Sequence, residues 1–148
     1  MQLLGDGAGL VLALGERDCS LQRRHQKIVE ESPAPGLSPG LRARLAEAAV
    51  AFGREIGYQS AGTVEFVVDG EEFFFLELNG RIQVEHPVTE AVLGIDLVAW
   101  QLRIADGASV RELEGLQPQG HAVEARLYAE HPRTFLPQAG RIERLRLP

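Results

Sequence analysis

A chain of 148 residues, 45% of them hydrophobic and 24% charged, is long enough to bury one real core, and its composition excludes intrinsic disorder. A formal net charge of −6 argues against a nucleic-acid surface, and no apolar run approaches the roughly 20 residues of a membrane span. The single cysteine, Cys19, excludes an internal disulfide and fits a reducing compartment, here the cytoplasm; nothing in the sequence marks a base that would make it a nucleophile.

Residues 2–14 predict a small hairpin, Gln2–Leu4 and Leu10–Leu14, around the turn-rich Gly5-Asp6-Gly7-Ala8-Gly9. A chain that starts in mid-strand reads as a piece of something longer. Glu16-Arg17-Asp18-Cys19-Ser20 is a polar break. Leu21–Glu31, with Arg23-Arg24-His25-Gln26-Lys27 at its centre, reads as an edge strand or an extended loop, or simply as a solvated basic patch. Ser32-Pro33-Ala34-Pro35-Gly36 is a linker, after which Ser38 and Pro39 supply an N-cap and a first-turn proline. A helix is predicted over Pro39–Ile56, with Leu41, Leu45, Ala48, Ala49, Phe52 and Ile56 on one face and Gly57 as its stop. Gly53 inside it costs about 1 kcal/mol relative to alanine on propensity alone. Two strands follow over 61–79, then short helices over Pro87–Leu93 and Leu97–Ala105, the second capped by Asp96. Ser109–Pro118 is a connector. Gln119–Glu130 alternates, with Ala122, Glu124, Arg126 and Tyr128 on one face, and predicts a strand; Gly140–Leu147 predicts a last one.

The candidate site lies in Gly62–Glu90. Glu65, Glu77 and Asn79 are oxygen donors inside apolar strands, where an ion is costly unless paired or metal-bound. Glu77 and Asn79 leave the same face of one strand. Glu65 joins them if the connecting loop has three residues with Gly70 left-handed, which places Glu65 opposite Phe75 and diagonal to Glu77. A two-residue Asp69-Gly70 loop would send Glu65 to the other face. Such a donor set suits Mg²⁺ or Mn²⁺ completed by water and phosphates; the plainer alternative is a pair of solvated carboxylates. In the following loop Arg81 offers a planar fork for carboxylate, bicarbonate or phosphate, and Glu85 is a candidate general base. His86 belongs to the turn into the next helix.

Glu16-Arg17-Asp18-Cys19-Ser20-Leu21-Gln22-Arg23-Arg24-His25-Gln26-Lys27 resembles a signature of the biotin carboxylase family. So do Glu77-Leu78-Asn79-Gly80-Arg81-Ile82-Gln83-Val84-Glu85-His86-Pro87-Val88-Thr89-Glu90 and Gly120-His121-Ala122-Val123-Glu124-Ala125-Arg126, in the same order as in that family. The run from Ala125 to Glu130, with Phe135-Leu136-Pro137-Gln138, resembles the biotin-carrying α subunits of acyl-CoA carboxylases. The resemblance implies an α+β, ATP-grasp fold, with a partial ATP-grasp domain over residues 1–108 and the first strands of a C-terminal domain over 109–148. It implies a ligase reaction in which ATP phosphorylates bicarbonate to carboxyphosphate, whose CO₂ then carboxylates biotin N1′ on a carrier domain.

Carried over onto this sequence, Glu65, Glu77 and Asn79 would bind the Mg²⁺ or Mn²⁺ that accompanies ATP, and Gln22 and His25 would contact the nucleotide together with Glu65 and Glu77. Lys27, Arg81, Gln83 and the backbone of Val84 would hold bicarbonate. Glu85 would deprotonate it, and Arg81 with Arg126 would stabilise the biotin enolate. Implied partners are the biotinylated carrier domain, a carboxyltransferase subunit and, in a full-length enzyme, a second copy in a homodimer. Gly80 stands where many relatives carry a bulkier residue. The family's N-terminal domain, its glycine-rich lobe with the lysines that grip ATP, and most of its C-terminal domain have no counterpart in these residues. The expectation is an internal segment, inactive or nearly so alone. The alternatives are a non-catalytic remnant that binds other carboxylase subunits, and another ATP-grasp ligase, against which Arg126 and the His25–Lys27 block argue.

Overall fold

The structure is a computed structural model and describes residues 1–146. Its centre is an antiparallel sheet in the order β2 (Val11–Ala13), β1 (Gln2–Asp6), β6 (Gln59–Asp69), β7 (Glu72–Asn79). The opening hairpin is present, with Leu4 opposite Leu12, and Asp6 Oδ1 accepts from the amides of Ala8 and Leu10 across its turn. Side chains alternate across β1, so Leu3 and Leu4 enter different cores. Leu3 meets Leu41, Leu45 and Ala49 of α1 (Pro39–Glu55); Leu4 meets Val92, Leu97, Trp100 and Ile104 of α2 (His86–Leu93) and α3 (Leu97–Ala105). The sheet is thus covered by one helix on one face and two on the other.

The helix ends follow the capping signals. Ser38 Oγ accepts from the Leu41 amide at 3.1 Å and Asp96 Oδ1 from the Ala99 amide at 2.8 Å, while Gly94 closes α2 in the left-handed conformation. Gly53 has a reason beyond tolerance. A Cβ there would lie 2.9 Å from Val11 Cγ1 and 3.2 Å from Leu3 Cδ1, so only glycine lets α1 approach the sheet this closely.

Four expectations are corrected. The β6–β7 loop has two residues, Gly70 and Glu71, since Asp69 pairs with Glu72; it is not the three-residue loop that the carboxylate pair was expected to need. Leu21–Glu31 is neither a single strand nor a loop: β3 (Gln22–Arg23) and β4 (Gln26–Lys27) form a tight hairpin, and β5 (Val29–Ser32) follows. The hairpin turns on Arg24 and His25, both at positive φ (51° and 63°), the twist that two-residue hairpin turns prefer. The strand expected over Gln119–Glu130 is only β8 (Ala122–Ala125), because β5, its partner, is four residues long. No strand forms over the described residues 140–146 of the expected last strand, where no partner strand is at hand; Leu147 lies outside the described residues.

Candidate active site

The carboxylates converge through a β-bulge. Phe66 pairs with Phe75, but Glu65 pairs with Glu77, leaving Leu76 as an extra residue in β7. The insertion reverses the parity of the strand beyond it. Phe73 and Phe75 stay on the α1 face, where Phe75 packs 5.2 Å from Phe52, while Glu77 and Asn79 move to the other face beside Glu65 and Thr63. Asn79 Nδ2 reaches both carboxylates, at 3.2 Å to Glu65 and 3.0 Å to Glu77. Two carboxylates on one small group, with an amide whose oxygen and nitrogen can exchange by a side-chain flip, fit a hard divalent cation that takes its other ligands from water and phosphate. Among the described residues no cluster of three or more His, Cys, Asp or Glu side chains is poised to hold a metal. Water or phosphate oxygens would complete any such shell.

Lys27 ties this pair to the loop. Its ammonium donates to Glu65 Oε1 at 2.6 Å and to Glu85 Oε1 at 2.7 Å. The β3–β4 hairpin aims it, holding Lys27 opposite Gln22. Gln83 Nε2 also donates to Glu65, at 2.9 Å. Glu85 is the N-terminal cap residue of α2, yet its carboxylate makes no cap bond; it turns inward, buried, and its other oxygen accepts from Arg126 Nη2 at 2.6 Å. Arg126 in turn donates from Nε to the fully buried Glu30, also at 2.6 Å. The charges therefore alternate from Glu65 through Lys27, Glu85 and Arg126 to Glu30.

Burial alone would raise the carboxyl pKa of Glu85, but the hydrogen bond and charge of Lys27, with the charge of Arg17, hold it below the ordinary range. Glu65 is likewise lowered against burial by Lys27 and Gln83. The same two bonds lift Lys27 above its ordinary value although desolvation opposes them. At neutral pH the site holds two carboxylates and one ammonium in full charge.

The other expected residues divide. Gln22, Lys27, Glu65 and Gln83 line one cavity of about 480 Å³, together with the apolar Val67 and Leu76. His25 is exposed at the hairpin tip and does not line it. Arg81 is exposed and, among the described residues, in no ion pair; it donates only to Ile82 O and Asn79 Oδ1, at 3.2 and 3.3 Å. Val84 is exposed beside it. Burial pushes the Cys19 thiol up to about 11, which keeps it protonated at neutral pH.

Two residues had no expected role. Arg17 donates to Gln2 Oε1 (2.7 Å), Thr89 Oγ1, Thr63 Oγ1 and Gln83 Oε1 (each 2.9 Å), joining β1, β6, α2 and the loop. By occupying the Gln83 oxygen it turns the Gln83 amide nitrogen toward Glu65. Glu30 anchors Arg126. Arg17 lies within the Glu16–Lys27 motif and Glu30 in a charged run, but only the pairing of distant segments gives them work.

This arrangement has known counterparts. Residues 1–113 match the family model of the carbamoyl-phosphate synthase L chain, ATP binding domain. The chain is 56% identical to the mitochondrial methylcrotonoyl-CoA carboxylase subunit alpha of Arabidopsis thaliana, over 95% of this chain and 20% of that protein. It is 50% identical to the biotin carboxylase of Allochromatium vinosum, over 99% of this chain and 33% of that one. Among solved structures it superposes on the biotin carboxylase domain dimer of the Hydrogenobacter thermophilus 2-oxoglutarate carboxylase, in complex with MgADP, ADP and bicarbonate. There the TM-score is 0.93 at 49% identity, over 99% of this chain and 33% of that one. The chain belongs to the ATP-binding domain family of the carbamoyl-phosphate synthase L chain and, within it, to the biotin carboxylases. It spans about a third of the length of the biotin carboxylases and a fifth of the carboxylase subunit it matches.

Proposed function

We propose that this chain supplies the metal- and bicarbonate-handling half of a biotin carboxylase active site, in the ATP-dependent carboxylation of carrier-bound biotin for an acyl-CoA carboxylase of fatty acid metabolism. The observation that carries it is the position of Lys27 between Glu65 and Glu85, which puts one cation within reach of both the ATP-side carboxylate and the candidate base.

In this reading bicarbonate binds in front of Lys27, Arg81, Gln83 and the Val84 amide. Arg81, free of ion pairs among the described residues, swings onto it as a planar fork. Glu85 is ionised and accepts the bicarbonate proton, and the carbonate oxygen attacks the γ-phosphorus of ATP with ADP leaving. Carboxyphosphate then splits into CO₂ and phosphate, the released phosphate takes the biotin N1′ proton, and the resulting enolate, facing Arg81 and Arg126, attacks the CO₂ through N1′. Glu65, Glu77 and Asn79 would hold Mg²⁺ or Mn²⁺, which offsets the repulsion between phosphate and bicarbonate when bound. Gln22 and His25 contact the nucleotide from the β3–β4 hairpin, along with Glu65 and Glu77. The ATP-grasp part is residues 1–108 and the start of a C-terminal domain is 109–148, a division favoured by the family match ending at 113. The partners are the carrier domain, a carboxyltransferase subunit and a second copy in the full-length enzyme; the lone Cys19 suits the cytoplasm proposed for it.

ADP release that depends on both bicarbonate and free biotin tests the division of labour. These 148 residues are expected to stay at background, because the glycine-rich lobe with the lysines that grip ATP in the family has no counterpart among them. Full turnover by the chain alone would overturn it.

A further inference from the structure

Beyond the residues of the proposed reaction, β5 and β8 hold a second pair of carboxylates. Glu30 and Glu124 are direct cross-strand partners in that antiparallel ribbon, so their side chains leave the same face, with Cβ atoms about 5 Å apart. Glu30 is fully buried; its Oε1 accepts from Arg126, but its Oε2 is buried with no hydrogen-bond partner. Glu124 Oε2 is in the same condition, buried and unpartnered. Two orphaned carboxylate oxygens on neighbouring side chains are costly as two anions, and one hydrogen between them would satisfy both.

We propose that Glu30 and Glu124 share a single proton, and that this singly charged pair is the anchor that holds Arg126 beside Glu85. Glu30 is thus a positioning residue, and Glu124 keeps the local charge matched to one guanidinium. The charged and titratable groups around Glu124 are Glu30 on β5, Arg126 just beyond the end of β8, and Glu85 and His86 at the start of α2. Burial, and then the charge of Glu30, push the Glu124 carboxyl above its ordinary range, with Arg126 opposing. The sequence beyond Glu85 then reads Arg126 cation, Glu30 anion, Glu124 neutral acid, so Glu124 adds no further negative charge to the alternation. The role of Arg126 toward biotin rests on the proposed function; the shared proton does not.

The test follows the glutamate side-chain carboxyl carbons of the ¹³C-labelled 148-residue chain by NMR as pH rises. One resonance of the pair is expected to keep the shift of a carboxylic acid after the exposed glutamates have titrated. Glu124→Gln, which replaces that acid by a neutral isostere, is expected to match or exceed the wild-type urea midpoint at neutral pH, whereas Glu30→Gln lowers it. Both carboxyls titrating with the exposed ones would overturn the proposal. So would equal destabilisation by the two variants, or a shift of both resonances on adding Mg²⁺, which would make the pair a cation site. These readouts require no turnover, so a failure of the carboxylase reading leaves them standing.

Discussion

Replacing Arg17 by methionine removes a side chain that fastens β1, β6, α2 and the Gln83 loop to each other. Hydrogen bonds to a charged group are worth about 1.5–3 kcal/mol each, but the gain is offset by the cost of enclosing a guanidinium among neutral partners, and the terms do not add. The four acceptors are all buried. Gln2 and Gln83 keep only the bonds donated by their amide nitrogens, to Leu3 O, Gly62 O and Glu65, so their buried amide oxygens lose the Arg17 partner along with the Thr63 and Thr89 hydroxyls. Net destabilisation of about 2–4 kcal/mol follows, a large part of the 5–15 kcal/mol typical of a domain. Urea unfolding followed by the fluorescence of the sole tryptophan, the buried Trp100, reads it as a lower midpoint at unchanged slope. Arg17→Lys should fall in between, because a single ammonium has three donors for the four acceptors. A loss below about 0.5 kcal/mol for Arg17→Met would refute the assignment of Arg17 as the tie.

Deleting Leu76 should leave Glu65 opposite Glu77, since it removes only the bulged, exposed residue; cross-strand amide NOEs should persist and stability change by about 1 kcal/mol or less. Loss of those NOEs would show that the bulge does more than set parity. Gly53→Ala, favourable by helix propensity, should instead destabilise by about 1 kcal/mol, because the Cβ meets the stiff Val11 side chain; a higher melting temperature would contradict this. The folded-state pKa values of Glu65 and Glu85 are lowered, so the stability they add is present above the unfolded carboxylate range and is lost as pH falls through their folded values. Lys27→Met should therefore lose stability at neutral pH and show a flatter acid limb, read from urea midpoints between neutrality and about pH 3. A parallel displacement of the two pH curves would sever the link to Lys27.

The helices and their caps were legible because Ser38, Asp96, Gly57 and Gly94 act within a turn of themselves. The candidate site residues were legible as motifs, down to Lys27 and Arg126, but their geometry was not. Leu76 looks like any other strand residue, and whether it pairs or bulges is decided by which faces Phe75 and Glu77 must occupy once α1 has docked. Gly70 does take positive φ as expected, yet in a loop one residue shorter, so the right face was reached by the wrong device. The shortness of β8 has the same origin: alternation in Gln119–Glu130 marks a possible strand, while β5 sets how much of it finds a partner. Arg17 and Glu124 lie inside recognisable motifs, yet their roles and that of Glu30 stayed hidden because they rest wholly on long-range contacts.

The central claim is that Lys27, Gln83, the Val84 amide and Glu85 form a bicarbonate site. A bicarbonate titration of the ¹⁵N-labelled chain, with chloride at matched ionic strength as control, tests it most directly. Saturable shifts confined to the Gln83 side-chain amide, the Val84 and Glu85 backbone and the Lys27 region are predicted, and Lys27→Met should abolish them. Shifts that chloride reproduces, or a saturable response elsewhere on the chain with these signals unmoved, would contradict it.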